Sequence, residues 1–339
     1  MSIRYFFFKW SSPIAAWAML STAQAAVMTV QECEDKLPGT TDSQLGYEEI
    51  VPGKFYVVYS GISKPNNQGV MAVFNTSNIY LIKGRVANSK TDRLPVWVFG
   101  SGYGDPNGDV EYYRASINAD ATRNAAVDAC YINSIIRDKF SWRNPARIDI
   151  RFLTPHYHLD HVNQEIFSEL WLQNYPVTNA KLYVHAADAF GIDQTCTTPC
   201  CMTAQEIADG LCTEVGRNRS PNWGKAYTSP WQSDLIANKI ALGSESDAEC
   251  AQVSVASGDL NQLASFVSAM GTWTIHRGML GHTDGPLTLK LIQPNSNNTS
   301  YMIRGGDLQP GDTDRCDTDM PSGTTVYLPS HDNIVLTPQ

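Results

Sequence analysis

The chain contains no lysine- or arginine-rich run, and its 25 basic residues are outnumbered by 34 acidic ones, for a formal net charge of −9. Nucleic acid and anionic membrane surfaces are bound by clustered cations, so both are poor partners for it. Beyond the first 25 residues no apolar stretch approaches the ~20 residues that cross a bilayer. There is no internal repeat and no low-complexity tail. Histidine is scarce, with seven in 339 residues. What is present is ordinary for a globular protein: 42% hydrophobic and 17% charged residues, with enough length to bury a substantial core.

The first 25 residues, MSIRYFFFKWSSPIAAWAMLSTAQA, read as an export signal. Arg4 and Lys9 give a basic start, an apolar middle follows, and Ala23-Gln24-Ala25 supplies a small-residue cleavage site. The run IAAWAML is too short for a membrane anchor, and Pro13 interrupts what precedes it. The expectation is cleavage near Ala25, leaving residues 26–339 as a single exported domain, periplasmic or extracellular. Sequons at Asn75, Asn218, Asn297 and Asn298 suit a eukaryotic secretory route as well.

Export gives the cysteines a meaning. All eight (Cys33, Cys130, Cys196, Cys200, Cys201, Cys212, Cys250 and Cys316) follow the expected cleavage point. In an oxidising compartment an even number predicts disulfides rather than a thiolate metal cluster. Five of them crowd into 196–250, inside a stretch from about 190 to 265 that is rich in Gly, Ser, Thr and Pro. That stretch reads as an insertion, either a disulfide-pinned lid or a surface loop.

Elsewhere the pattern is regular. KFYVVYSG and GVMAVFNTSNIYLIKGR predict strands, the second broken by a turn at Asn75-Thr76-Ser77. LPVWVFGSGYGD predicts a buried strand entering a glycine-rich loop, and residues 124–140 carry apolar side chains at helical spacing. RIDIRFL is a strand with Ile148, Ile150 and Phe152 in alternation, VNQEIFSELWLQNY a helix and AKLYVHAA another strand. Strands return at FVSAMGTWTIHRG, PLTLKLIQ, TSYMIRGGD and TTVYLPSHD. The series is of α/β type.

Three of the seven histidines fall within six residues, in HYHLDH (156–161). His156 and His158 sit two apart at a strand's carboxyl end and project from one face, and Asp160 and His161 follow in the turn before a helix. Imidazole and carboxylate so grouped suit zinc, and also manganese or iron. Further ligand-capable residues stand at other strand ends: His282 in GHTDG, Asp307 in IRGGD and His331 in LPSHD.

With these motifs in this order, the chain resembles the metallo-β-lactamase superfamily over nearly its whole length after the signal. The resemblance implies an αββα sandwich, two mixed β-sheets flanked by helices, with a dinuclear metal site at one edge. By motif, His156, His158 and His282 would hold one metal, Asp160, His161 and His331 the other, and Asp307 would bridge them. A bridging aspartate is similar to the glyoxalase II and lactonase branches. Three departures stand out: GSG (100–102) where the family has Asp-Thr-Gly, unless Asp105 stands in for the missing carboxylate; Leu308-Gln309-Pro310 where lactonases have a tyrosine; and a chain end soon after His331. His185 is a candidate supporting residue, whereas His276 is expected to pack or face solvent.

The implied chemistry is hydrolysis of a small-molecule ester, lactone, amide (β-lactams included), thioester or phosphoester. Two divalent cations, zinc first with iron or manganese as alternatives, would share a hydroxide nucleophile, and Asp160 would orient it and pass a proton to the leaving group. An iron-dependent oxidoreductase of the same fold and a non-catalytic binding protein are the alternative readings, both disfavoured by the complete set of seven ligands.

Overall fold

Two sets of alternating apolar residues decide how the chain layers. In β2 (Phe55–Pro65), Phe55 and Val57 enter one core while Tyr56 and Val58 enter another on the opposite face of the strand. In β4 (Leu94–Phe99), Leu94, Val96 and Val98 join the second set, and Trp97 and Phe99 the first. A strand buried on both faces needs a layer on each side. The computed structural model describes residues 46–65, 71–100, 130–155, 175, 179–188, 238–254, 263–278, 285–292, 300–305, 315–317 and 319–327, with side chains omitted at 59–65 and 71–77.

The first sheet has seven strands in sequential order: β1 (Gly46–Val51), β2, β3 (Met71–Lys83), β4, β5 (Ile148–Leu153), β6 (Ala180–His185) and β7 (Ile240–Leu242). Pairing is antiparallel from β1 to β4 and parallel from β4 to β7. The second sheet has five strands in the order β12-β11-β10-β9-β8. They are β8 (Ser265–Ser268), β9 (Gly271–Arg277), β10 (Leu287–Leu291), β11 (Tyr301–Ile303) and β12 (Thr325–Tyr327). Only β11 and β12 are parallel there. Both sheets are thus mixed, as expected.

The sheets pack face to face through an aromatic-rich core. Phe55 meets Trp273, Tyr301 and Tyr327 edge-on at 5.7, 5.7 and 5.8 Å, and Trp97 stacks on Phe266 at 4.2 Å. Ile275, Leu287, Leu289 and Ile303 fill the space between. Each such side chain contributes about 1.5–3 kcal/mol on burial, against 0–1 kcal/mol for a surface ion pair, so this core outweighs pairs such as Arg137–Asp138 in holding the layers. On the other face of the first sheet, Tyr131, Ile132, Ile135, Ile136 and Phe140 pack from a helical segment. That segment is helical over 130–139, its last turn widened to a π-turn at Ile135–Lys139. One α layer and both β layers of the expected sandwich are therefore seen; the segment 162–174 lies outside the described residues.

Two features differ from the sequence expectation. Asn75-Thr76-Ser77 makes no turn: β3 runs unbroken, paired with β2 from Phe55↔Ile82 to Pro65↔Met71. A register shift between Ser60 and Ile62 lets the long ladder continue, and its hydrogen bonds override the local turn preference. The short edge strands β1 and β7 were not expected, β7 falling inside the proposed insertion.

A disulfide joins Cys250 to Cys316, and Cys130 is also disulfide-bonded. The Cys250–Cys316 bridge lies on the outer face of the second sheet, beside Met302 and Val326. Buried Lys290 donates there to the Cys316 carbonyl at 2.8 Å and to Asp319 Oδ1 at 2.6 Å. Among the described residues no helix is long and apolar enough to cross a membrane. Residues 1–25, the expected export signal, lie outside them.

Candidate metal centre

The seven predicted ligands, His156, His158, Asp160, His161, His282, Asp307 and His331, all lie outside the described residues, as does Asp105. Among the described residues no group of three His, Cys, Asp or Glu side chains converges as a metal site. What the structure does describe is the frame from which each motif departs.

The motifs leave from one end of both sheets. β9, β11 and β12 run the same way and β10 opposes them, so the ends of β9, β11 and β12 lie beside the start of β10. The end of β5 joins this group across the sandwich, where the Leu287 amide donates to the Pro155 carbonyl at 2.6 Å. Gly278 N–H donates to Pro286 O at 2.6 Å, Arg304 N–H to Tyr327 O at 2.9 Å, and Gly305 N–H to Thr288 Oγ1 at 2.9 Å. The bases of all four motifs are thus held by direct hydrogen bonds. His156 follows Pro155 directly, Asp307 is two residues past Gly305, His282 three before Gly285 and His331 four past Tyr327. A chain extends by at most about 3.6 Å per residue, so every motif begins within roughly 15 Å of this frame.

Close backbone approach explains two glycines. A Cβ on Gly305 would lie 1.9 Å from Leu287 O and 2.8 Å from Leu287 N. A Cβ on Gly285 would lie 2.8 Å from His185 Nδ1 and 3.0 Å from the Asp188 amide nitrogen. Gly285 in turn donates its N–H to buried Asp188 Oδ1 at 2.8 Å, which fixes the segment just after His282 to the end of β6. Asp188 escaped sequence reasoning; the only signal was a carboxylate three residues beyond a strand histidine.

His185, the predicted supporting residue, is buried at the end of β6 and underlies Gly285. Its Nδ1 accepts the Ala187 amide at 3.2 Å, which leaves the ring proton on Nε2, 3.5 Å from Asp247 Oδ2. Burial, helped by the charge of Arg277, lowers the pKa of His185 against the opposing pull of Asp247. For Asp247 burial works upward, yet hydrogen bonds from Ser254 Oγ, Ser244 N and Ser254 N outweigh it and hold the carboxyl below its ordinary range. The pair is a neutral imidazole beside a carboxylate. His276 packs, as one of the two expected outcomes had it: it is buried between Cys250 O at 3.0 Å and Thr274 Oγ1 at 2.9 Å.

No family model matches the chain, and no curated protein matches it. Among solved structures it is similar to AidC, a dizinc quorum-quenching lactonase in complex with a product. The identity is 13%, the match covers 77% of this chain and 74% of that one, and the TM-score is 0.38, a likeness too loose to assign an activity or a ligand set.

Proposed function

We propose that the protein is an exported metal-dependent hydrolase of the metallo-β-lactamase type, acting on a small-molecule ester, lactone, amide, thioester or phosphoester. The observation that supports this most is the hydrogen-bonded frame: the four sequence-distant motifs that carry the seven candidate ligands depart from one edge of two stacked sheets. The donor set fits the group, since imidazoles and carboxylates without a thiolate suit two divalent ions such as zinc. His156, His158 and His282 would hold one ion, Asp160, His161 and His331 the second, with Asp307 between them. When bound, such ions lower the pKa of water and polarise a carbonyl or phosphoryl oxygen.

The chain's own residues do the rest. Asp160 orients the attacking water and passes its proton to the leaving group. The Pro155–Leu287 bond joins the bases of the first two motifs, and Asp188–Gly285 ties the second to the end of β6. The neutral His185 packs under Gly285 and adds no positive charge there.

The test is to purify the protein with its disulfides intact, measure bound metal by elemental analysis, and assay nitrocefin, an acyl-homoserine lactone, a glutathione thioester and a phosphodiester. Two equivalents of metal and turnover of one substrate, lost in Asp160→Asn, are expected. Failure to take up transition metal would falsify the reading, and turnover surviving in Asp160→Asn would remove Asp160 from its role.

A further inference from the structure

A second site lies away from the motif-bearing edge. A cavity of about 520 Å³ opens among the chain just after β3, the first half of β4, Arg151 of β5 and strand β8. That volume is within the range of small-molecule pockets. Arg151 precedes His156 by five residues.

The lining reverses the charge of the molecule. In a chain of net charge −9, three guanidinium groups, Arg85, Arg93 and Arg151, the last paired with Asp149 at 2.6 Å, line the cleft beside one lining carboxylate, Asp92. That carboxylate is turned to its own loop, accepting Asn88 N–H at 2.7 Å and Thr91 Oγ1 at 3.1 Å. Two of the arginines are held in place. Arg93 Nη1 donates to Ala146 O at 2.9 Å, while Arg151 lies 4.9 Å from the Trp97 ring centroid and donates through Nε and Nη2 to Asp149 Oδ2. Among the described residues, Arg93 Nε and Nη2 and Arg151 Nη1 make no further hydrogen bond. Arg85 uses only its backbone N–H, on Val267 O, among the described residues. Apart from Ser265, the remaining wall is apolar, with Pro95, Leu263, Phe266 and half-exposed Val267.

Guanidinium groups fixed by other bonds lose little freedom when they take up an oxyanion, whose two oxygens match their paired donors. An apolar wall beside them adds area for a compact hydrocarbon body. We propose that this cleft binds a small organic oxyanion, a carboxylate or phosphate carried on a ring or short chain, independently of the motif-bearing edge.

The experiment is isothermal titration of the whole, metal-bound protein with phenyl phosphate, benzoate and inorganic phosphate. Phenyl phosphate or benzoate is expected to bind, and whichever is tighter identifies the head group; inorganic phosphate, lacking the apolar body, is expected to bind more weakly than phenyl phosphate. Arg85→Gln/Arg93→Gln, both exposed positions, should weaken binding roughly tenfold or more, the loss expected for charged hydrogen bonds. Val267→Asp, which places a negative charge on the wall, should weaken it as well, and His158→Ala should leave it unchanged. The proposal is overturned if neither phenyl phosphate nor benzoate binds by about 10 mM, well past the weak end of ordinary ligand affinity. It is overturned equally if the double arginine variant binds as the parent does, or if His158→Ala abolishes binding, which would put the anion at the motif edge instead.

Discussion

The amide of Leu287 donates to the carbonyl of Pro155 across the interface between the two sheets, at 2.6 Å. Pro155 is the last residue before HYHLDH, and Leu287 opens β10 just after GHTDG. One backbone bond therefore joins the bases of the two histidine motifs, and it does so without any side chain that sequence could advertise. Because Gly305 packs against the same Leu287 peptide, the frame has almost no spare room.

Gly305→Ala tests that frame. The added methyl would overlap the Leu287 peptide, which is backbone of the paired strand β10 and cannot swing aside as a flexible side chain would. Overpacking of this kind costs about 1–3 kcal/mol, with more where backbone must shift. The expected result is a lower urea midpoint together with loss of bound metal. A variant as stable as the parent would mean that β10 and β11 are not held as closely as described.

Asp188 gives a more selective test. Asp188→Ala leaves the Gly285 N–H without its acceptor in a buried position, at a cost of about 1–3 kcal/mol. Asp188→Asn keeps an oxygen of the right reach and should recover much of the stability. If Asp188 acts by positioning the segment after His282, metal affinity should fall in Asp188→Ala and return towards the parent value in Asp188→Asn. Equal metal affinity in all three proteins would restrict Asp188 to a structural part.

How much of this was legible in the sequence depends on the range over which each signal acts. Alternation in Phe55–Val58 and Leu94–Phe99 announced strands because their side chains take turns between two cores. HYHLDH suggests ligand chemistry because four donor groups lie within six residues, and it lies outside the described residues. The turn expected at 75–77 failed because its signal is local, whereas the β2–β3 ladder that overrides it spans both strands. β7 could not be seen: three residues, Ile240–Leu242, become a strand only by pairing with Tyr183–His185. The links Asp188–Gly285 and Lys290–Asp319 join residues 97 and 29 positions apart through groups of common type. The arginines of the second cleft were likewise scattered, and they meet because β3, β4 and β5 are neighbours in the first sheet, with Trp97 paired to Arg151.

Acid should weaken the fold through its buried imidazoles. His276 is held neutral: burial lowers its pKa from the ordinary 6.5, and nearby Lys290 adds to this, against the Cys250 carbonyl and Asp319. In the unfolded chain the ring regains its ordinary value, so below pH 6.5 the unfolded state binds the extra proton. The stabilisation is complete above that pH and declines as pH falls towards the folded value. His185, lowered in the same direction, adds to the trend. Unfolding free energies from urea titrations at about pH 7.5 and about pH 5.5 should differ by about 1.4 kcal/mol per group at most. His276→Gln should shrink the difference without removing it; an unchanged difference would place the titration elsewhere.

The Cys250–Cys316 disulfide closes a loop of 66 residues, and loop-closure entropy for that length gives about 4 kcal/mol. The contacts around it are made by main chain: His276 Nδ1 reaches the Cys250 carbonyl, Lys290 the Cys316 carbonyl. Cys250→Ser/Cys316→Ser removes the crosslink and leaves both carbonyls in place, so its cost measures the constraint on the unfolded chain and not the loss of polar contacts. The expected outcome is a large drop in urea midpoint with a native circular dichroism spectrum. Adding reductant to the parent should cost more than the double variant does, because Cys130 is also disulfide-bonded and would be released too. If the double variant unfolded at the parent's midpoint, the second sheet's outer face would be held by Lys290 and its partners alone, and the cysteine pair would have no part in stability.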